Sequence, residues 1–201
     1  MIERLANAAG RPVSRETCEK LNIYAELLRS ESERQNLVAA STLDRLWERH
    51  ILDSAQLVRF EPRPGASWLD IGSGAGLPGI VVSCLVEGLV TLAEPRRLRA
   101  EFLSRVVDVL GVNGQLIASK IEKMTGQFDV ITARAVAPLG RLLELSHHLS
   151  TRNTVWALPR GRSAHSELAE ARRSWQGAFH VEQSVTEDDS YIVVGTGVRK
   201  R

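Results

Sequence analysis

The sequence predicts an α/β fold: a doubly wound, mostly parallel sheet preceded by a helical segment. Three observations carry that expectation. From about residue 67 onward, short apolar runs alternate with amphipathic stretches, the pattern of a parallel sheet covered on both faces. The run "WLDIGSGAGLPG" at 68–79 ends an apolar stretch in an acid and follows it with four glycines. That is the form of a strand-to-helix turn, where doubly wound sheets bind ligands. The first sixty residues show only helical spacing and stop at "EPRPG", 61–65. The expected organisation is a helical segment over 1–64 packed on a core over 65–201, one compact unit.

Each element follows from its spacing. Residues 15–30 place Leu21, Tyr24, Ala25, Leu27 and Leu28 on one helical face. Ser41 or Thr42 is placed to cap a helix through "LDRLWERHILDSAQLVRF", with Leu43, Leu46, Trp47, Ile51 and Leu57 recurring at helical intervals. "SWLDIG" reads as a strand, "PGIVVSCLVEG" as a short helix ending near Gly88, and "LVTLAE" as a strand. "RRLRAEFLSRVVDVLGVNG" is a helix ended by Gly111, and "QLIAS" and "FDVITARA" are strands. "PLGRLLELSHHLS" is a helix opened by Pro138, "TVWALP" a strand and "SAHSELAEARRSW" a helix. "HVEQSVT" and "YIVVGTGV" read as a final β pair that adds an antiparallel element at one edge.

Composition narrows the class. The chain is 43% hydrophobic and 25% charged, with a net charge of +2, as in a soluble globular domain. No apolar stretch approaches the roughly 18 residues of a membrane span, and the N-terminus lacks the apolar run of a secretory signal. Cys18 and Cys84 are too few for a disulfide framework and have no metal-ligand spacing, so a reducing cytoplasm and no metal are expected. His147 and His148 lie in a plain amphipathic helix and read as structural.

The ligand of the glycine turn has two readings. "GAGLPG" at 74–79 fits the dinucleotide fingerprint G-x-G-x-x-G, with Glu94 about twenty residues on for a ribose hydroxyl. "DIGSGAG" at 70–76 instead resembles the acid-x-Gly-x-Gly-x-Gly motif of S-adenosylmethionine (AdoMet) methyltransferases, where Glu94 would again hold the ribose. A pyrophosphate needs free amides at a helix N-terminus. Pro78 has none to give, and Asp70 would repel a phosphate but attract a sulfonium or an amine. Physics therefore favours AdoMet. A nicotinamide-dependent oxidoreductase and a small-molecule methyltransferase are the alternatives, and a non-catalytic RNA-binding module is a third. Intact glycines and both acids speak against that last one.

A wider pattern runs in order along the chain: "NLV" at 36–38, "RHILDS" at 49–54, "DIGSGAGLPG" at 70–79, "SKIE" at 119–122, "ARA" at 133–135 and "LPRGR" at 158–162. Together they resemble the RsmG family, also called glucose-inhibited division protein B, over nearly the whole chain. The resemblance implies an AdoMet-dependent methyltransferase fold and methyl transfer to N7 of a guanine in 16S ribosomal RNA. The partner it implies is that RNA within the small ribosomal subunit or its precursor. A monomer is expected, since nothing in the pattern calls for an obligate dimer. By the same resemblance Gly72, Gly74, Leu77, Glu94, Ile121 and Glu122 hold the cofactor, and Arg134 faces both cofactor and active site. Asn36, His50 and Asp53 border the cleft from the helical segment and are candidates for the target-base pocket. Arg160 and Arg162 face RNA. Two positions depart from the family: Glu31 stands where a tryptophan is usual, and Arg160 where lysine is common. The latter keeps the charge and changes its geometry.

Each polar residue also has a plainer role open to it. His50 and Asp53, three apart on one helix, could simply pair. For the implied reaction no general base is needed, because guanine N7 carries a lone pair and no proton. The site must align that lone pair with the methyl group and draw the base from its stack. An arginine reading O6 would leave N7 free, whereas the usual bidentate grip on O6 and N7 would block transfer.

Overall fold

The computed structural model describes residues 1–201 apart from the side chain of Ala40. The chain opens with α1 (Ile2–Ala9) and α2 (Arg15–Ser32). Ser14 starts α2 by accepting the Thr17 amide on its Oγ at 3.0 Å, which satisfies one of the helix's orphan donors. The α2 face expected from spacing, Leu21, Tyr24, Ala25 and Leu28, is buried. The single helix expected over 43–60 is instead a series of short pieces: α3 (Ala40–Leu43), a π-turn (Trp47–Leu52), α4 (Asp53–Ala55) and a 3₁₀ turn (Gln56–Phe60). Thr42 does not cap an amide; its Oγ1 donates back to the Ala39 carbonyl at 2.7 Å. The reason for the break is burial on several sides. Leu46, Ile51, Ala55, Leu57 and Val58 are all fully buried, and one uniform 3.6-residue repeat cannot turn all five inward.

Seven strands follow: β1 (Trp68–Ile71), β2 (Val90–Ala93), β3 (Gly114–Ile117), β4 (Val130–Ala133), β5 (Val155–Arg160), β6 (Trp175–Gln183) and β7 (Tyr191–Lys200). They form one sheet in the order β3-β2-β1-β4-β5-β7-β6. The first five run parallel, and β7 lies antiparallel between β5 and β6. Between the strands run α5 (Gly79–Ser83), α6 (Arg97–Leu110), α7 (Leu139–Ser146) and α8 (Ala164–Ala171). The helix expected to reach Trp175 stops at Ala171, and Trp175 instead opens β6, buried against the His147 ring at 5.2 Å.

Successive strand residues point to opposite faces, and each face has its own core. Trp68 and Val130 join Leu21, Tyr24, Leu28, Ile80 and Leu103 on one side. Leu69 and Ile131 join Leu142, Leu143, Trp156 and Leu168 on the other. The N-terminal helices thus share a core with the sheet. Register then fixes where loops meet. Ile71 stands opposite both Ala93 and Ala133, and Ala93 opposite Ile117. The residues that follow these strands, Gly72, Glu94 and Arg134, therefore emerge side by side at the carboxyl edge.

Candidate active site

The glycine turn is held by two carboxylates. Asp70, on β1, is fully buried; its Oδ2 accepts the Gly79 amide at 3.1 Å, while its Oδ1 has no partner among the described residues. Burial pushes its pKa up to about 7. Glu94 accepts the Gly74 amide on Oε2 at 3.0 Å and the Arg96 amide on Oε1 at 2.8 Å. The Gly76 amide donates to the Ser73 carbonyl at 2.6 Å. Within the turn, the Gly74, Gly76 and Gly79 amides thus already have acceptors and are not free for a pyrophosphate. The turn also needs its glycines. Gly72 has φ +64, and a Cβ there would lie 2.7 Å from Val136 Cγ2. From below, the Tyr24 hydroxyl of α2 donates to the Ala75 carbonyl at 2.9 Å.

Above the turn lies a cavity of about 370 Å³, lined among others by Gly72, Glu94, Arg99, Ile121, Glu122 and Val136. Four of the expected cofactor residues meet there. Three do not line it: Gly74 points its amide at Glu94, Leu77 is 4% exposed in the core beside the N-terminal helices, and Arg134 lines the neighbouring cavity instead.

A second cavity of about 510 Å³ is lined by residues including His50, Asp53, Arg134, Arg160, Glu167 and Tyr191. Ala135 and Val136 line both cavities and form their common wall. Ala135 is the one non-glycine residue with positive φ, +55, among the described residues, a strained turn of the kind functional sites retain. Arg134 Nη1 donates to His50 Nδ1 at 3.0 Å, and His50 Nε2 lies 2.9 Å from Thr42 Oγ1. A guanidinium has only donors, so Nδ1 accepts and Nε2 carries the hydrogen. Burial, then the charges of Arg134 and Arg49, push the His50 pKa down to about 4.

His50 and Asp53 do not pair. Asp53 Oδ1 instead accepts from Gln56 Nε2 at 2.8 Å, Thr186 Oγ1 at 3.0 Å and Ser184 Oγ at 3.1 Å. It fastens the loop after β6 to the helical segment. Arg160 is not a surface base. It is 9% exposed, and its Nη1 donates to the Pro159 and Ala133 carbonyls at 3.0 and 3.3 Å. Its Nε and Nη2 are sealed in without hydrogen-bond partners, with Glu167 Oε2 3.5 Å from Nε. Arg162 is exposed and pairs with Asp189. Asn36 is exposed and lines neither cavity; its carbonyl accepts from Arg99 at 3.3 Å.

The departure at Glu31 has a structural counterpart. Its buried carboxylate takes Arg105 of α6 on Oε2 and Gln35 on Oε1, an ionic clamp between α2 and α6. Burial alone would raise its pKa, but the bonds from Gln35 and Arg105 outweigh that and hold it low. His147 and His148 lie within 3.0 and 3.1 Å of the Val198 and Met124 carbonyls, structural roles as expected. Three contributors lay outside the sequence expectation as site residues: Thr42, Tyr24 and Val136. Tyr24 was legible only as one member of an apolar face, because periodicity does not show where a hydroxyl points.

The profile of the rRNA small subunit methyltransferase G family matches residues 17–191. The ribosomal RNA small subunit methyltransferase G of Zymomonas mobilis is 44% identical over 198 residues, covering 94% of this chain and 90% of its own. The protein of the same name from Erythrobacter litoralis is 47% identical, covering 90% and 89%. A SAM-dependent methyltransferase from Aquifex aeolicus shares the fold with a TM-score of 0.62 at 16% identity, covering 83% of this chain and 97% of that one. A ribosomal protein L11 methylase from Lactobacillus delbrueckii gives a TM-score of 0.59 at 14% identity, covering 76% and 79%. Identity above 40% across nine-tenths of the sequence, on the sheet order described above, means that the chain belongs to the rRNA small subunit methyltransferase G family.

Proposed function

We propose that the protein transfers the methyl group of AdoMet to N7 of a guanine in 16S ribosomal RNA. It acts as a cytoplasmic monomer on the small ribosomal subunit or its precursor. The observation that carries this reading is the pair of cavities with one wall, Ala135–Val136. One is sized and lined for a nucleoside cofactor; the other has room for a flipped base.

The residues of the first cavity fit AdoMet. Glu94 suits ribose hydroxyls, while Asp70, fully buried outside the cavity, supports the turn through the Gly79 amide. Ile121 and Glu122 border the adenine, Gly72 allows close approach, and Gly74 acts through Glu94. Leu77 supports the turn from the core. Bound AdoMet supplies an electrophilic methyl group on a sulfonium. The chain's own work is to position and to exclude water. Arg134 and His50 stand at the base pocket, Asp53 fixes the loop that closes it, and Arg160 forms its floor. Arg162 at the rim meets the RNA backbone. Asn36 guards the Arg99 side of the cofactor cavity. The helical segment 1–64 serves as the outer wall of the base pocket.

No side chain needs to take a proton. His50, neutral above about pH 4, has both nitrogens engaged. Single-turnover transfer is therefore expected to show no rise centred near pH 6.5 and to stay flat from about pH 6 to 9. The test is labelled AdoMet with small ribosomal subunits or free RNA, scoring methylguanine at N7. Gly72→Val should abolish AdoMet binding, because its side chain would meet Val136. Micromolar binding of NAD with no AdoMet signal would overturn the reading.

A further inference from the structure

We propose that Arg134, held by His50, reads O6 of the target guanine and so selects the base; this rests on the N7 reading above. The cavity offers three arginines besides the rim residue Arg162, and their surroundings separate them. Arg49 is committed to Glu187 at 3.0 Å. Arg160 has its Nε and Nη2 sealed from the cavity beneath the Pro159 and Ala133 carbonyls. Arg134 alone is fixed and open at once. One nitrogen is locked on His50 Nδ1, while Nε and Nη2 have no hydrogen-bond partner among the described residues and are not sealed in.

Its position matches the geometry of the reaction. Arg134 lines the base cavity and is followed at once by Ala135 and Val136, the wall shared with the cofactor cavity. On guanine, O6 adjoins N7 on one edge. Whatever donates to O6 must therefore stand beside the point where the methyl group passes. The N7 lone pair forms the new bond to carbon as the carbon–sulfur bond breaks. The electron pair goes to sulfur, the positive charge moves to the purine, and no proton leaves. A bidentate fork on O6 and N7 would consume that lone pair. Engagement of Nη1 by His50 leaves a restricted set of donors for O6. Adenine carries an amino group at the same place, and a donor-only guanidinium cannot accept from it. His50 is a positioning residue here. Its hydrogen-bond chain runs from Arg134 through Nε2–H to Thr42 and on to the Ala39 carbonyl, so the guanidinium is anchored to backbone.

The experiment places different purines at the position the wild-type enzyme methylates in small-subunit RNA and measures single-turnover transfer to N7. Hypoxanthine keeps O6 and N7; 2-aminopurine keeps N7 and loses O6. Wild type should treat guanine and hypoxanthine within about threefold and disfavour 2-aminopurine by about 5- to 150-fold. Arg134→Ala should slow transfer to guanine and collapse the guanine-to-2-aminopurine ratio towards one. His50→Ala should reduce that ratio while leaving AdoMet affinity unchanged. His50→Asn, whose amide oxygen can replace Nδ1 as acceptor, should restore it. A purely structural role for His50 would slow all purines alike. Where a variant is too slow to time, equilibrium binding of the guanine and 2-aminopurine RNAs with S-adenosylhomocysteine reads the same ratio. Equal rates on guanine and 2-aminopurine in wild type, or a full ratio surviving Arg134→Ala, would overturn the proposal. A wild-type product methylated elsewhere than N7 would remove the functional reading itself, and that is seen without any variant.

Discussion

Asp70 couples the cofactor turn to the folding equilibrium. Its carboxyl is fully buried with one oxygen unpartnered, and its pKa rises from 3.8 to about 7 on folding. A group raised in this way stabilises the fold below its unfolded pKa, and that contribution is lost as pH climbs through the folded value. The window is thus about pH 4 to 7. Asp70→Asn cannot ionise, so its stability relative to wild type should improve as pH rises from 5 to 8. Only the two pH units from 5 to the folded value near 7 contribute, and at 1.36 kcal/mol each they bound the gain at about 3 kcal/mol. Urea unfolding of both proteins across that range measures it; a difference that stays constant with pH would refute the assignment. Residue identity announced this acid in the sequence, and the two carboxylates were legible from spacing alone. Their engagement with Gly74 and Gly79 amides was not, because a motif does not show which lone pair meets which hydrogen.

At the scale of elements, α2 is part of the cofactor site without touching the cavity. Tyr24 reaches from it to the Ala75 carbonyl, and its hydroxyl would stand 3.2 Å from a Cβ at Gly76. Tyr24→Phe leaves a buried carbonyl unsatisfied at a cost of about 1–3 kcal/mol. AdoMet affinity by calorimetry is expected to fall by about 3- to 10-fold, with the helical signal by circular dichroism intact. Unchanged affinity would mean that the turn holds its shape unaided. Six of the seven strands were legible to within two residues, since a buried run such as Val130–Ala133 carries no charge; β6 was not, because it begins at Trp175, five residues before its expected start at His180. The segment 40–60 was not. Its burial spreads around the axis, and an i+5 turn leaves no periodic mark. That turn places His50 towards Arg134 and away from Asp53. Leu77 and Asn36 failed to join the cavities for a related reason: the loop carries Leu77 into the N-terminal core and leaves Asn36 outside. Arg160 read as a loop base because charge does not reveal burial, yet β5 extends through it and takes it inside.

For the whole molecule, the final strand matters most. β7 sits inside the sheet, paired to β5 on one side and β6 on the other. Removing residues 191–201 would bare the edge of β5, with its apolar Trp156 and Leu158, and leave β6 without a neighbour. The shortened chain is expected to aggregate, which size-exclusion chromatography of the soluble fraction would show. A monomeric product with normal AdoMet affinity would contradict this. The loop before β7 supplies Thr186 to Asp53 and Glu187 to Arg49, and β7 itself supplies Tyr191 to the base cavity. During synthesis these residues are made after every parallel strand. A growing chain can therefore close its cofactor turn while the wall that would receive a base is still untranslated. The base cavity is thus the part of the molecule whose lining is completed last.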